Sequence, residues 1–215
     1  REVTADVLKM PEVIDTVREV YQLKAKGDTT VFPLVFHEFE PGVADMDIKS
    51  GWLKGSDIFG LKVVSWFGDN ADKGLPALIG TIIVMDAATG APIGILDGSH
   101  ITGIRTGAAG AIGAKALARE NSETLMVVGA GHVATFQVAA TLMLFPRLKK
   151  VYVYDGLSME NAEKFAASMP DTLKSSFDYD ACGVSFEAVA DLPKATGESD
   201  IIITVTPSHT PIIQK

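Results

Sequence analysis

Residues 125–144 read LMVVGAGHVATFQVAATLML, and the change of character inside this stretch decides the fold. Leu125 to Val128 is a short apolar run ending in two β-branched residues. Gly129, Gly131 and Ala134 follow, spaced G-x-G-x-x-A. Beyond them Phe136, Ala139, Ala140 and Met143 recur at helical spacing. A buried strand, a glycine turn and a helix form the arrangement that cradles a phosphate.

The residues after this stretch continue the pattern. A strand at 151–155 is followed by a helix at 159–168, opened by Ser158, with Ala162, Phe165 and Ala166 as its apolar face. Further strands are expected at 184–189 and 200–206. Alternation of strand and helix predicts a parallel sheet with right-handed crossovers. The residues before it read differently. A helix is expected at 10–27, with Pro11 in its first turn and Val13, Val17, Val20 and Tyr21 along one face. Strands are expected at 31–39, 61–67 and 80–86, the last turning at Thr89-Gly90 into 92–97. A long helix covers 100–118. The polar ENSET at 120–124 predicts a boundary between a first domain, 1–119, and a second, 120–215.

Composition narrows the function. The 215 residues carry a net charge of −8 and no basic block, which argues against a nucleic-acid or anionic-membrane surface. The single cysteine, Cys182, cannot form an internal disulfide, so a reducing, cytoplasmic compartment is expected. No apolar run approaches the roughly 20 residues of a membrane span. The chain begins at Arg1 rather than methionine, so at least one N-terminal residue is expected to be missing.

A lone G-x-G-x-x-A is weak, but this one meets three tests of context. It follows a strand and opens a helix. Asp155 ends the next strand at the distance expected of a ribose-binding carboxylate. Thr204, Thr206 and Pro207 close a later strand at the same carboxyl edge. Gly129 permits the tight turn, Gly131 lets backbone N–H groups approach a pyrophosphate, and Ala134 allows close packing. Asp155 would accept from the ribose hydroxyls and repel a 2′-phosphate, which favours NAD over NADP. The ligand-free alternative is an ordinary strand-turn-helix.

The stretch DGSHITGIRTGAAGAIGAKALARE, 97–120, carries glycine at 103, 107, 110 and 113. Each costs a helix roughly 1 kcal/mol relative to alanine. Close packing against another helix or a cofactor would compensate. Arg105 and Thr106 lie near its start, where free N–H groups favour anions. A packed helix pair with an exposed arginine is the other reading.

Together, ITGIRTGAAGAIGAKALARENS, VVGAGHVATFQ, GLKVVSWFGDNADKGLP and IIITVTPSHTP closely resemble the ornithine cyclodeaminase/μ-crystallin family, which includes archaeal-type alanine dehydrogenases and ketimine reductases. The match runs along essentially the whole chain. It implies an α/β protein: an α+β substrate and dimerisation domain, then a Rossmann-type doubly wound parallel sheet, with NAD(H) between them and a homodimer as the unit. It places Lys62 on the family's active-site lysine, a proton shuttle. A lysine in an apolar strand loses solvation, which suits that role; a snorkelling edge lysine is the alternative. Arg105 falls on the arginine that binds the substrate carboxylate through its planar fork. Thr81, Arg105 and Thr106 fall on cofactor-contacting positions. Gly129, Gly131, His132, Val133 and Asp155 fall on the dinucleotide loop and ribose site, and Thr204 and Thr206 on the loop beside the cofactor. No metal is implied.

Two departures stand out. Relatives carry further cations for the substrate carboxylate, where this chain has Leu34 in VFPLVFHEF and Asp45 and Asp47 in ADMDIKSG. Lys49 could supply the cation from a shifted position, His37 could help, and Asp47 could instead bind an ammonium group. A solvated acidic loop is the plainer reading of Asp45 and Asp47. The chain also ends at Lys215, short of the family's remaining Rossmann strands and its catalytic acidic residue, so a truncated Rossmann half is expected. The implied chemistry is hydride transfer at the α-carbon of a small amino or imino acid. Ornithine cyclodeamination to proline and ammonia is the leading expectation. Alanine dehydrogenase or ketimine reductase is the alternative, and a non-catalytic μ-crystallin-like binder the third.

Overall fold

The computed structural model describes residues 2–208 and 210–214. In chain order the elements are α1 (Glu2–Val7), α2 (Met10–Lys26), β1 (Thr29–Val31), β2 (Val35–Glu40), β3 (Ala44–Leu53), β4 (Ile58–Phe67), a 3₁₀ turn (Gly68–Lys73), β5 (Leu78–Asp86), β6 (Pro92–Asp97) and α3 (Gly98–Leu117). Then follow β7 (Thr124–Val128), α4 (His132–Leu144), β8 (Lys150–Tyr154), α5 (Met159–Phe177), β9 (Ser185–Ala188), α6 (Leu192–Gly197) and β10 (Ile201–Thr204). The chain forms two compact units, one of 1–7 and 18–102, the other of 8–17 and 103–215.

The first unit is built on an antiparallel sheet ordered β1-β3-β4-β5-β6, with β2 also paired to β3. Pro33 divides the single strand expected at 31–39 into β1 and β2, because proline cannot donate to a ladder. The acidic stretch at 44–53 is a ten-residue strand inside the sheet, not a solvated loop. Its aspartates, glycine and lysine are strand-poor residues. The signal was the alternation of Met46 and Ile48 with charged neighbours.

The second unit is the α/β layer structure that alternation predicts. Its sheet is parallel and ordered β10-β7-β8-β9. Strand β7 is apolar from Leu125 to Val128 because both faces are covered. Leu125 and Val127 join the large core with Val151, Val153 and the helices, while Met126 and Val128 pack with Tyr152 and Ala195 on the other face. Helix α4 buries Ala134 and Phe136 through Leu142. Helix α5 runs through Pro170, well past the expected stop at 168. Met169 and Leu173 are fully buried there, and burial of about 1.5–3 kcal/mol each offsets the roughly 3 kcal/mol of an internal proline. Helix α6 escaped the sequence reading, although Asp191 caps it by accepting from the Lys194 N–H and Pro193 sits in its first turn.

The units divide within α3, between Thr102 and Gly103, earlier than the polar break at 120–124. The part of α3 in the second unit carries the close-packing glycines. A Cβ at Gly103 would stand 2.4 Å from the Phe136 ring, one at Gly107 2.3 Å from the Phe136 carbonyl oxygen, and one at Gly110 2.1 Å from the Gln137 side-chain oxygen. These glycines lay α3 directly on α4. Helix α2 is split similarly: its buried residues are Met10 and Ile14, whereas Val20 and Tyr21, expected on the apolar face, are exposed.

Candidate functional site

In the second unit the site residues gather where the sheet reverses its order, between β7 and β10, at the carboxyl ends of the strands. Crevices of this kind hold ligands in doubly wound folds. Gly129 has φ +107°, a backbone region that L side chains rarely adopt. A Cβ there would also lie 2.7 Å from the Val205 carbonyl oxygen and 3.1 Å from the Thr206 methyl. Its N–H donates to the Tyr154 carbonyl (2.7 Å), and the Val205 N–H donates to that of Val128 (2.9 Å). Gly131 differs: it is exposed, and a Cβ there would meet nothing within 4 Å. It opens α4 in extended conformation, with no side chain capping the helix. The turn thus offers backbone N–H groups and the positive end of a 13-residue helix on an open face, with His132 exposed and Val133 half-buried beside it. This donor set fits a diphosphate.

Asp155 does more than the sequence reading gave it. Its carboxylate accepts from the Ala130 N–H of the glycine turn (3.1 Å) and from the N–H groups of Leu157 (3.0 Å) and Ser158 (3.1 Å). Burial pushes its pKa up, but these backbone donors and the Asn161 side chain together hold it below the usual carboxylate value. It is therefore an anion at neutral pH, bracing the turn while setting the local charge. Thr204 is exposed at the end of β10, and Thr206 is half-buried against Gly129. Arg105 is exposed on α3, opposite the glycine stripe that packs on α4. Thr106 is half-buried, and its carbonyl accepts from the Gln137 side-chain amide at 3.0 Å. The sequence reading missed Gln137; a buried amide within an apolar helix was the available signal.

In the first unit Lys62 is half-buried in β4, and its Nζ donates to Thr102 Oγ1 at 3.0 Å. Thr102 in turn donates to the Gly98 carbonyl at 2.6 Å. The lysine head is thus held at the start of α3 by a hydroxyl fixed by its own helix. Cross-strand register sorts the other candidates by face. Lys49 is paired directly with Lys62 and shares its face, as does Asp47, paired with Val64. His37 is paired with Met46 and lies on the opposite face, so it does not supply a cation beside Lys62. Lys49 is half-exposed and already bonded to Asp47 at 2.5 Å. Thr81 is paired with Val63, so the pleat places it on the face away from Lys62. Among the described residues no group of three histidines, cysteines or carboxylates could hold a metal, and no helix is long and apolar enough to cross a membrane.

A sequence profile of the ornithine cyclodeaminase/mu-crystallin family matches residues 1–215. The alanine dehydrogenase of Archaeoglobus fulgidus is 33% identical over 214 residues, which is 100% of this chain and 61% of that protein. The structure of Thermococcus litoralis Δ¹-pyrroline-2-carboxylate reductase, in complex with NADH and L-proline, superposes with a TM-score of 0.86 at 32% identity, covering 96% of this chain and 61% of that one. A lysine cyclodeaminase studied for its recognition of L-lysine, L-ornithine and L-2,4-diaminobutyric acid gives 0.84 at 29% identity, covering 99% and 60%. The chain therefore spans about three fifths of the length of these relatives.

Proposed function

Because the chain belongs to the ornithine cyclodeaminase/mu-crystallin family, we propose that it is the larger part of an NAD-dependent enzyme acting at the α-carbon–nitrogen bond of a small amino or imino acid. The observation that carries this reading is the glycine turn at the sheet's switch point, where Gly129 is required by both φ and crowding and Gly131 leaves the face open. NAD bound there supplies hydride transfer to or from the α-carbon. Gly129, Gly131, His132 and Val133 would hold the pyrophosphate, Asp155 the ribose side, and Thr106, Thr204 and Thr206 the loops beside them. Arg105 would hold the substrate carboxylate through a bidentate fork. Lys62, oriented by Thr102, would hold and move the proton at the α-nitrogen. Lys49 would contribute positive charge on the Lys62 face once released from Asp47, and Thr81 would act from its own face of β5.

Within this chemistry, cyclodeamination of ornithine is one outcome. Dehydrogenation of an amino acid, or reduction of the corresponding imine, is the second, and relatives of both kinds match at comparable identity. The full-length protein is incubated with NAD⁺ and a panel of amino acids, and NADH and ammonia are followed separately. Ammonia without net NADH identifies a cyclodeaminase, and both together a dehydrogenase. Tight NADH binding without turnover identifies a binder, and neither binding nor turnover sinks the reading.

Asp155→Asn should narrow the preference for NADH over NADPH. The anion faces a 2′-phosphate at a cost of about 1–3 kcal/mol, roughly tenfold to a hundredfold in relative affinity. Fluorescence titration with both nucleotides checks it, and a wild type that binds NADPH more tightly removes Asp155 from the ribose site.

We also propose that the unit is a homodimer formed through the antiparallel sheet. Strands β2 and β6 of that sheet leave Val35, Phe36, Phe39, Ile93 and Ile95 exposed, apolar side chains that a second copy would cover. Light scattering at micromolar concentration should return twice the chain mass; a monomer contradicts it.

A further inference from the structure

Gln137 is out of place by composition. It lies in α4 between Phe136 and Val138 and is 4% exposed, and its side-chain oxygen is buried without a hydrogen-bond partner. A methionine or leucine would cover the same surface and leave no orphaned oxygen, so the glutamine is unfavourable as packing. What it adds is direction. Its amide donates to the Thr106 carbonyl at 3.0 Å, and it reaches that carbonyl across Gly110, where a Cβ would stand 2.1 Å from its oxygen. The Thr106 carbonyl belongs to the helical turn that carries Arg105 and Thr106. Helix α4, which carries Gln137, begins at the glycine turn.

We propose that Gln137 is a positioning residue, tying the Arg105–Thr106 turn of α3 in fixed register to the dinucleotide turn at the start of α4. The glycines at 103, 107 and 110 set the separation of the helices. Gly103 against the Phe136 ring and Gly107 against the Phe136 backbone bring no directional bond of their own, so packing alone leaves α3 freedom to shift along the stripe and about it. One directional hydrogen bond to a backbone carbonyl removes that freedom. Arg105 lies opposite the stripe, so a small rotation of α3 displaces its guanidinium by more than it displaces the helix axis. This inference rests on the functional reading above, since it acts through residues assigned there to cofactor and substrate.

The test uses full-length Gln137→Met and Gly110→Ala, singly and combined. NADH affinity, kcat and KM are measured with the substrate that the wild type turns over, alongside thermal melts and amide hydrogen exchange of residues 105–110. Gln137→Met should melt at or above the wild-type temperature, because the orphaned oxygen is gone. Its exchange over 105–110 should rise, and kcat/KM should fall between about tenfold and a hundredfold, the range a misplacement near 1 Å produces. Gly110→Ala, which pushes the amide off the carbonyl, should give a similar loss, and the double variant no more than either alone. Wild-type activity with Gln137→Met unchanged in exchange and kcat/KM overturns the inference and leaves the functional reading standing. A loss of kcat/KM that follows a lowered melting temperature also overturns it, making Gln137 purely structural. A wild type that neither binds NADH nor turns over any substrate overturns the functional reading, and this inference with it.

Discussion

Lys62→Met in the full-length protein should lower turnover by about a hundredfold or more while leaving the melting temperature close to wild type. Methionine keeps most of the stem's volume in β4 and removes the charge. The hydrogen bond from Nζ to Thr102 is lost, but Thr102 keeps its bond to the Gly98 carbonyl, so no orphaned hydroxyl is created. The fold therefore has little reason to weaken, whereas proton transfer at the α-nitrogen loses its group. A hundredfold is about 2.7 kcal/mol of transition-state stabilisation. NADH affinity should change little, since Lys62 is on β4 and not on the dinucleotide turn. Steady-state kinetics with a nucleotide titration separates these effects. Near-normal turnover would demote Lys62 to a structural lysine and shift the balance toward a binding protein.

Gly129→Ala should be the most damaging substitution in the dinucleotide turn. The left-handed conformation costs a side chain roughly 1–2 kcal/mol, and crowding against the Val205 carbonyl adds about 1–3 kcal/mol. The melting temperature should fall by several degrees, and NADH affinity by about tenfold or more, because the N–H groups that follow Gly129 are displaced with it. Gly131→Ala is the paired control. Its φ of −88° suits any residue and a Cβ there meets nothing within 4 Å, so stability should hold while NADH binding weakens. Equal melting temperatures for Gly129→Ala and wild type would show that the turn adapts. Undiminished NADH binding in Gly131→Ala would show that the open face is not where the diphosphate lies.

Much of the second unit was legible because its signals are local. Strand β7, the glycine turn and α4 lie within twenty-one residues, and each obeys a rule of its own segment: apolar run, glycine spacing, helical period. The Asp155 assignment was legible as a position but not as a contact. That its carboxylate holds the Ala130 N–H depends on the parallel pairing of β7 with β8. The glycines of α3 announced close packing, yet only the assembled helices show that the partner is α4, at Phe136 and Gln137.

The first unit was less legible, because its order is decided by pairing between segments. β3 is rich in strand-poor residues, with only a short alternation of its own, and becomes a strand through three antiparallel partners, β1, β2 and β4, that supply its hydrogen bonds. The sequence by itself determined a strand, a glycine turn and a helix with a parallel sheet behind them, and a lysine set within an apolar strand. Tertiary structure alone decided which candidates share a face. Lys49 stands beside Lys62 while His37 and Thr81 turn away, since a side chain's face follows from register, and register is a property of two strands together.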